Sequence, residues 1–366
     1  MYVICEKLNH DGDGIVRVNG KVTFVPNLLV GEEALIEITK EHKNYNEGKV
    51  IEYLSKSNNR VEVPCKYYNL CGGCNIMHMS YNDQLLFKKE KVKNILLKYA
   101  KIDINLDIVS SNNCFNYRNK VTLHNLNNKV GYMKKNSNEV IDIDKCLLLD
   151  NRINDEIKNI KDKSSKDYVI RSNGIDVISN DVNDYLIMNV NNFKFRIDIN
   201  SFFQVNSYIC GELFKEIEKN IDENTNVLDL YSGVGTLSIV ASRKAKKVTA
   251  IEVNMYSYMN ALENSKLNGV NNVKFMCGKV EVLIKSVNEK VDIIITDPPR
   301  SGMDKFTIDV IKEFLPKKII YISCDPITLA RDINLLSDYY DVKSVKLFDM
   351  FPCTSHVESE CILELK

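Results

Sequence analysis

Cys324 sits in Ser323-Cys-Asp-Pro326, directly after the apolar run Lys318–Ile322, and Asp297 opens Asp297-Pro-Pro-Arg300 after Val291–Thr296. A proline that ends strand pairing also fixes the turn, so each motif holds its Cys or Asp at a strand mouth. A thiol placed there, near Arg300 and the positive end of a following helix, is expected to have a lowered pKa and to serve as a nucleophile. The competing reading is an inert cysteine of a core strand. The polar Asp325-Pro326 beside Cys324 favours the nucleophile. The tail Phe351-Pro-Cys-Thr-Ser-His-Val-Glu-Ser359 adds two candidate proton acceptors, His356 and Glu358.

Val227-Leu-Asp-Leu-Tyr-Ser-Gly-Val-Gly-Thr-Leu237 reads as a strand that runs into a glycine turn and then a helix. Gly233 and Gly235 let the backbone approach a ligand closely. The next strand ends Val248-Thr-Ala-Ile-Glu-Val-Asn254. Glu252, about twenty residues beyond the turn, is placed to accept hydrogen bonds from two ribose hydroxyls. A nucleotide or S-adenosylmethionine (SAM) fits this pair of signals. No Gly-x-x-x-x-Gly-Lys-Ser/Thr sequence occurs, which excludes a P-loop NTPase. Cys65, Cys71 and Cys74 gather three thiols around Gly72-Gly73. One more ligand would complete a four-cysteine site for zinc or an iron–sulfur cluster. The spacing is not the Cys-x3-Cys-x2-Cys of radical-SAM enzymes, which makes methylthiolation chemistry a distant reading.

These residues need elements to position them. Residues 1–56 read as all-β, with short runs separated by Gly12, Gly14, Asn19-Gly20 and Gly31. Asn19-Gly20 between two such runs predicts a hairpin, and five short strands predict a small OB-type barrel. Residues 57–198 form an α+β central region that holds the cysteine cluster and a basic helix over 81–101. Residues 84–101 of that helix carry six lysines against one acid. A solvated face and a phosphate contact are both open readings of that charge. The polar run Asn151–Asp167 reads as a surface helix or loop. From 199 to 366 apolar strands alternate with helices, the pattern of a doubly wound Rossmann-like sheet with ligands at the carboxyl ends of its strands. The predicted strands are Asn226–Leu230, Lys247–Ile251, Val273–Cys277, Val291–Thr296, Lys318–Ser323 and Ser344–Asp349. Net charge is zero, so charge alone does not point to nucleic acid. Met1-Tyr-Val-Ile-Cys-Glu-Lys7 has no basic start or apolar core, which predicts no export and no membrane insertion. Eleven cysteines in such a chain fit thiols, ligands or catalysts in a reducing cytoplasm better than a disulfide framework.

A thiol, a proton acceptor and a seat for SAM on one rim fit methylation of carbon 5 of uracil. Attack of Cys324 on carbon 6 makes carbon 5 nucleophilic, and a base then removes the carbon-5 proton. Amino-group methyltransferases instead place an aromatic residue after Asp-Pro-Pro and need no thiol. Phe203-Gln-Val-Asn206, Asp229-Leu-Tyr-Ser-Gly-Val-Gly235, Ile251-Glu252, Asp297-Pro-Pro-Arg300, Ser323-Cys-Asp-Pro326 and His356-Val-Glu358 occur in the order of the class I RNA uracil-5-methyltransferases, which the sequence resembles, and within them the large-subunit ribosomal RNA branch. The resemblance implies that Gln204, Tyr231, Gly233, Gly235, Glu252 and Asp297 seat SAM, that Cys324 is the nucleophile, and that Glu358 is the base. It further implies a TRAM domain at 1–56 and a [4Fe-4S] cluster on Cys65, Cys71, Cys74 and Cys146, with Cys114 as rival fourth ligand and zinc as alternative metal. The implied partner is RNA, 23S rRNA first and tRNA second, flipped into the site, with no obligate protein partner. Two departures stand out. Asp325 replaces the family's Asn, where a carboxylate would raise the pKa of the neighbouring thiol. Gly278-Lys279 occupies a stretch where the family places a small polar or acidic residue near adenine, so that contact is left unassigned. Asp325 also supports a contrasting reading, a non-catalytic RNA-binding protein that kept the fold.

Overall fold

The computed structural model describes residues 1–160, 165–179 and 185–366. The chain forms two compact units that do not follow its linear order. The first comprises residues 1–91, 123–147 and 351–355, and the second 92–122, 148–350 and 356–366.

The first unit begins with a six-stranded sheet in the order Tyr2–Ile4, Glu33–Glu41, Tyr45–Ser55, Lys21–Val25, Gly14–Val18, Lys7–Leu8. Alternating apolar residues bury Val3, Val16, Val25, Ala34 and Ile36 on its inner face. The predicted hairpin is present: Asn19 and Gly20 both take positive φ (51° and 80°), and Val18 pairs with Lys21. That backbone matches the twist of the flanking strands. The irregular segment after the sheet is tied to it by charge. Arg60 donates through Nε and Nη2 to the fully buried Glu32 at 2.6 Å, and Glu32 also accepts the N–H groups of Leu29 and Ser57. A bidentate pair of this kind offsets the cost of burying a carboxylate.

The predicted basic helix runs from Tyr81 to Ile95 and ends in a π-helical turn, Leu96–Ala100. Its later residues Val92, Ile95, Leu96 and Ala100 belong to the core of the second unit. Lys88, by contrast, is fully buried in the first.

The second unit is built on an eight-stranded sheet in the order Val273–Cys277, Lys247–Glu252, Asn226–Leu230, Ile293–Thr296, Lys318–Ser323, Glu358–Leu365, Tyr340–Phe348, Asp107–Val109. The first five strands are mutually parallel, and Glu358–Leu365 is antiparallel to both its neighbours. Continuous apolar runs such as Ile293–Ile295 and Ile319–Ile322 are buried throughout, as a sheet covered on both faces requires. Each such Ile contributes about 1.5–3 kcal/mol by leaving water. All six predicted strands form, with ends shifted by up to four residues. Two strands of this sheet carry no sequence prediction: Asp107–Val109, recruited from far upstream, and the tail strand that starts at Glu358. The polar run after Asp150 forms the helix Asn151–Asn159, capped by the Asp150 carboxylate. Residues 161–164 of that run lie outside the described residues.

Candidate active site

Strand register brings the candidate residues to one rim. Leu230 pairs with both Ile251 and Thr296, and Thr296 with Tyr321, so Tyr231, Glu252 and Asp297 all stand just past the same edge. Ser323 pairs with Ser359 in antiparallel fashion. Cys324 and Glu358 are each the next residue beyond that pair, and the Glu358 carboxylate stands near enough to act on the thiol by charge.

The electrostatics follow from this crowding. Burial pushes the Cys324 thiol up to about 11. Glu358 and Asp297 raise it further, whereas the Arg300 guanidinium lowers it by charge and by hydrogen bonding. The expected lowered pKa is therefore corrected: burial and the two neighbouring carboxylates outweigh Arg300. The positive end of the following helix, Pro326–Leu336, is taken by Asp325, whose carboxylate accepts the N–H groups of Ile327 (2.9 Å) and Thr328 (3.1 Å). Asp325 thus acts as an N-cap, for which Asp is as well suited as Asn. The departure at 325 removes nothing the site needs, and the contrasting non-catalytic reading loses its support.

Glu358 is 2% exposed, and burial together with Asp297 raises its pKa well above the ordinary carboxylate range, against the pull of Arg300. Burial likewise lifts Asp297 to about 7. Gln204 reaches Asp297 with Nε2 at 3.5 Å from Oδ2. The Gln204 carbonyl is held by the Asn119 amide at 3.0 Å. His356, the rival base, is exposed, while Glu358 is buried beside the thiol.

The glycine turn completes the rim. Gly235 has φ 81°, and a Cβ there would come within 3.0 Å of Ala261, so only glycine fits. Tyr231 holds φ 62°, a strained conformation for a bulky residue of the kind that clusters at binding sites. Glu252 accepts the N–H groups of Gly233 (2.7 Å) and Asn254 (2.6 Å), leaving each oxygen a further lone pair for a hydroxyl. Asp229, quoted in the motif but given no role from sequence, is buried. Burial raises it to about 7, Ser238 donates to it, and its Oδ1 has no partner. Ser232 Oγ and Thr296 Oγ1 are likewise buried and unpartnered. Orphaned acceptors among carboxylates that feel one another's charge fit a cationic ligand such as the sulfonium and ammonium of SAM. Lys279 is exposed at the start of the short helix Val280–Leu283.

A buried network that the sequence did not reveal supports the Asp297 turn. Asp332, fully buried, accepts the Tyr321 hydroxyl (2.7 Å), the Met303 N–H (2.9 Å) and Arg331 Nε (2.7 Å). Arg331 Nη2 then donates to the carbonyls of Ser301 and Met303. The loop after Asp297-Pro-Pro-Arg300 is thereby fixed from below.

The cysteine cluster lies wholly in the first unit. Burial raises Cys71 and Cys74, and Cys65 and Cys146 raise both further, so these four thiols share one electrostatic neighbourhood. Cys114, the rival fourth ligand, belongs to the second unit. Among the described residues, no three Cys, His, Asp or Glu side chains stand close enough to hold a metal ion, so the expected four-cysteine ligand set is not assembled.

A carboxylate whose folded pKa is raised stabilises the fold fully below its unfolded pKa, and that contribution is lost as pH rises through the folded value. Asp297, at about 7, follows this rule. Asp297→Asn is therefore expected to raise the thermal midpoint at pH 8, with the gain shrinking towards pH 5. Melting curves at both pH values check this, and an equal or larger gain at pH 5 would contradict it.

Comparison with known proteins agrees with this geometry. Residues 149–366 match the family described as tRNA (uracil-5-)-methyltransferase, and residues 1–51 match the TRAM domain. An uncharacterised RNA methyltransferase of Clostridium tetani is 32% identical over 95% of this chain and 92% of its own. One from Staphylococcus aureus is 32% identical over 98% and 96%. The crystal structure of Pyrococcus abyssi tRNA (uracil-54, C5)-methyltransferase in complex with S-adenosyl-L-homocysteine superposes with a TM-score of 0.81 at 26% identity, covering 99% of each chain. A thiol facing a buried carboxylate beside a glycine-turn cofactor seat, with these matches, makes the chain a SAM-dependent RNA methyltransferase of the tRNA (uracil-5-)-methyltransferase family with an N-terminal TRAM domain.

Proposed function

We propose that the protein methylates carbon 5 of a uracil in RNA, with Cys324 as covalent nucleophile and Glu358 as the base that releases the product. The observation that carries this is the juxtaposition of Cys324 and Glu358 one step beyond the Ser323–Ser359 pair. When bound, SAM supplies an electrophilic methyl group on a cationic sulfur, a charge that favours the ionised forms of the carboxylates around it. Arg300 favours the Cys324 thiolate. The Cys324 Sγ adds to carbon 6 of the uracil, and the ring electrons move to the carbon-4 carbonyl, leaving carbon 5 nucleophilic. After methylation, carbon 5 carries both methyl and hydrogen. Glu358, a strong base because it is buried, takes that proton, and the electron pair expels the cysteine sulfur.

The RNA target has two readings. The order of the motifs and the four-cysteine pattern resemble the ribosomal branch and favour 23S rRNA. The Pyrococcus enzyme, which acts on uracil 54 of tRNA, matches this chain end to end, TRAM residues included. The barrel is therefore no argument against tRNA. Cys65, Cys71, Cys74 and Cys146 have the donor chemistry for a [4Fe-4S] cluster or zinc, and a cation there would favour the thiolates of Cys71 and Cys74 against the burial and neighbouring thiols that raise them. Its place in the protein is to order the segment that carries it, in a reducing cytoplasm.

With SAM and unmodified 23S rRNA and tRNA transcripts, Glu358→Gln should accumulate a methylated protein–RNA adduct and turn over about 10²–10⁴-fold more slowly. Cys324→Ala should form no adduct, even with 5-fluorouridine RNA. Sequencing across the adduct identifies the transcript and the uridine. An adduct that survives Cys324→Ala refutes the nucleophile. Protein purified without oxygen should contain about four iron atoms for a cluster of this type, by elemental analysis, and Cys146→Ser should lose them. About one zinc atom instead assigns the alternative metal, and neither metal would refute the site.

A further inference from the structure

The segment that precedes the base is not part of the catalytic unit. Residues 351–355 are packed into the first unit, and a single face of the basic helix holds them. Gln84 Oε1 accepts the Cys353 N–H at 2.8 Å, Lys88 Nζ donates to the Phe351 carbonyl at 3.0 Å, and Lys91 Nζ donates to the Ser355 carbonyl at 2.9 Å. Positions 84, 88 and 91 recur at helical spacing. From the cysteine segment, Asn75 Oδ1 accepts the Ser355 N–H at 2.8 Å. Asn75 Nδ2 donates to Ser355 Oγ at 2.9 Å and to the Asp11 carbonyl at 2.6 Å. The Ile76 N–H donates to the Cys353 carbonyl at 3.3 Å, and Cys353 holds φ 67°. Water could satisfy all these backbone groups on an ordinary surface loop. Here side chains do so, among them the buried Gln84, the half-buried Asn75 and Lys91, and Lys88, a lysine with no exposed surface. Such burial is costly unless the groups are paired.

Ser355 has both its N–H and its carbonyl fixed, and Glu358 follows three residues later. We propose that this grip is a positioning device for proton removal, with Asn75 and Lys91 as positioning residues that set where Glu358 stands opposite Cys324. The proposal rests on the nucleophile–base reading above. It gives two of the helix lysines a role that is neither a solvated face nor a phosphate contact. It also explains why a cysteine-bearing segment belongs in a methyltransferase: Asn75 directly follows Cys74, so ordering that segment and ordering the base loop are one event.

A base displaced by about 1 Å loses up to about 10²-fold in rate, while the attack by Cys324 is untouched. The test uses the full-length protein, SAM, and transcripts of 23S rRNA and tRNA carrying hydrogen or deuterium at uracil carbon 5. Asn75→Ala and Lys91→Met should form the methylated adduct at nearly the wild-type rate but release product about tenfold more slowly. Adduct should accumulate and the deuterium isotope effect on release should grow. Lys91→Arg, which keeps a donor, should restore release. Adduct formation in the same preparations, together with thermal midpoints, reports on folding. Equal slowing of formation and release, or an unchanged isotope effect, overturns the proposal. Glu358→Gln is the control: if it releases product at the wild-type rate, the base assignment itself fails, a result distinct from failure of the clamp alone.

Discussion

The pairing of Ser323 with Ser359 is the contact on which the rest of the site depends. A parallel sheet alone would present Cys324 at its rim, but no carboxylate opposite it. An antiparallel strand inserted beside Lys318–Ser323 begins at that rim and runs away from it, with Glu358 as its first residue. A shift of one residue in that register would turn the carboxylate to the other face of the sheet. The Tyr340–Phe348 strand on the far side is paired with Glu358 through Phe348, so the register is held from both flanks.

That placement sets charges against one another. Three acids (the buried Asp229 and Glu358 and the half-buried Asp297) stand at or near one edge, and each is held above the ordinary carboxylate range. Arg300 is the cation that acts on both Cys324 and Glu358. Such an arrangement is unfavourable for stability and favourable for chemistry: it raises the pKa of both the Cys324 thiol and the Glu358 carboxyl and makes each responsive to a cationic ligand. Asp332 and Arg331 offset part of the strain by bracing the loop that carries Arg300.

Much of this was legible in the residues. Continuous apolar runs marked the parallel strands, and the prolines after Asp297 and Cys324 marked where those strands end. Asn19-Gly20 declared its hairpin because few other pairs tolerate positive φ twice. The tail strand was not legible, because Glu358-Ser-Glu-Cys361 places polar residues where a buried strand normally has apolar ones; tertiary pairing overrides that local signal. The thiol's raised pKa was hidden for a related reason: sequence shows Arg300 and a helix start near Cys324, but not the burial of the thiol or the Glu358 carboxylate that the tail strand brings beside it. Lys88 and Lys91 looked like surface charge because spacing alone cannot reveal that another part of the chain, 263 or 264 residues away, comes back to cover them.

The facing of Cys324 and Glu358 is tested most directly by the pH dependence of Cys324 alkylation in the ligand-free protein. The other cysteines are masked by comparison with Cys324→Ala. The thiol should titrate near 11, so that alkylation still rises about tenfold per pH unit through neutrality. Removing the opposing charge in Glu358→Gln should move that titration downward. A thiol that titrates near 8.5, the ordinary cysteine value, or one indifferent to Glu358→Gln, would contradict the arrangement.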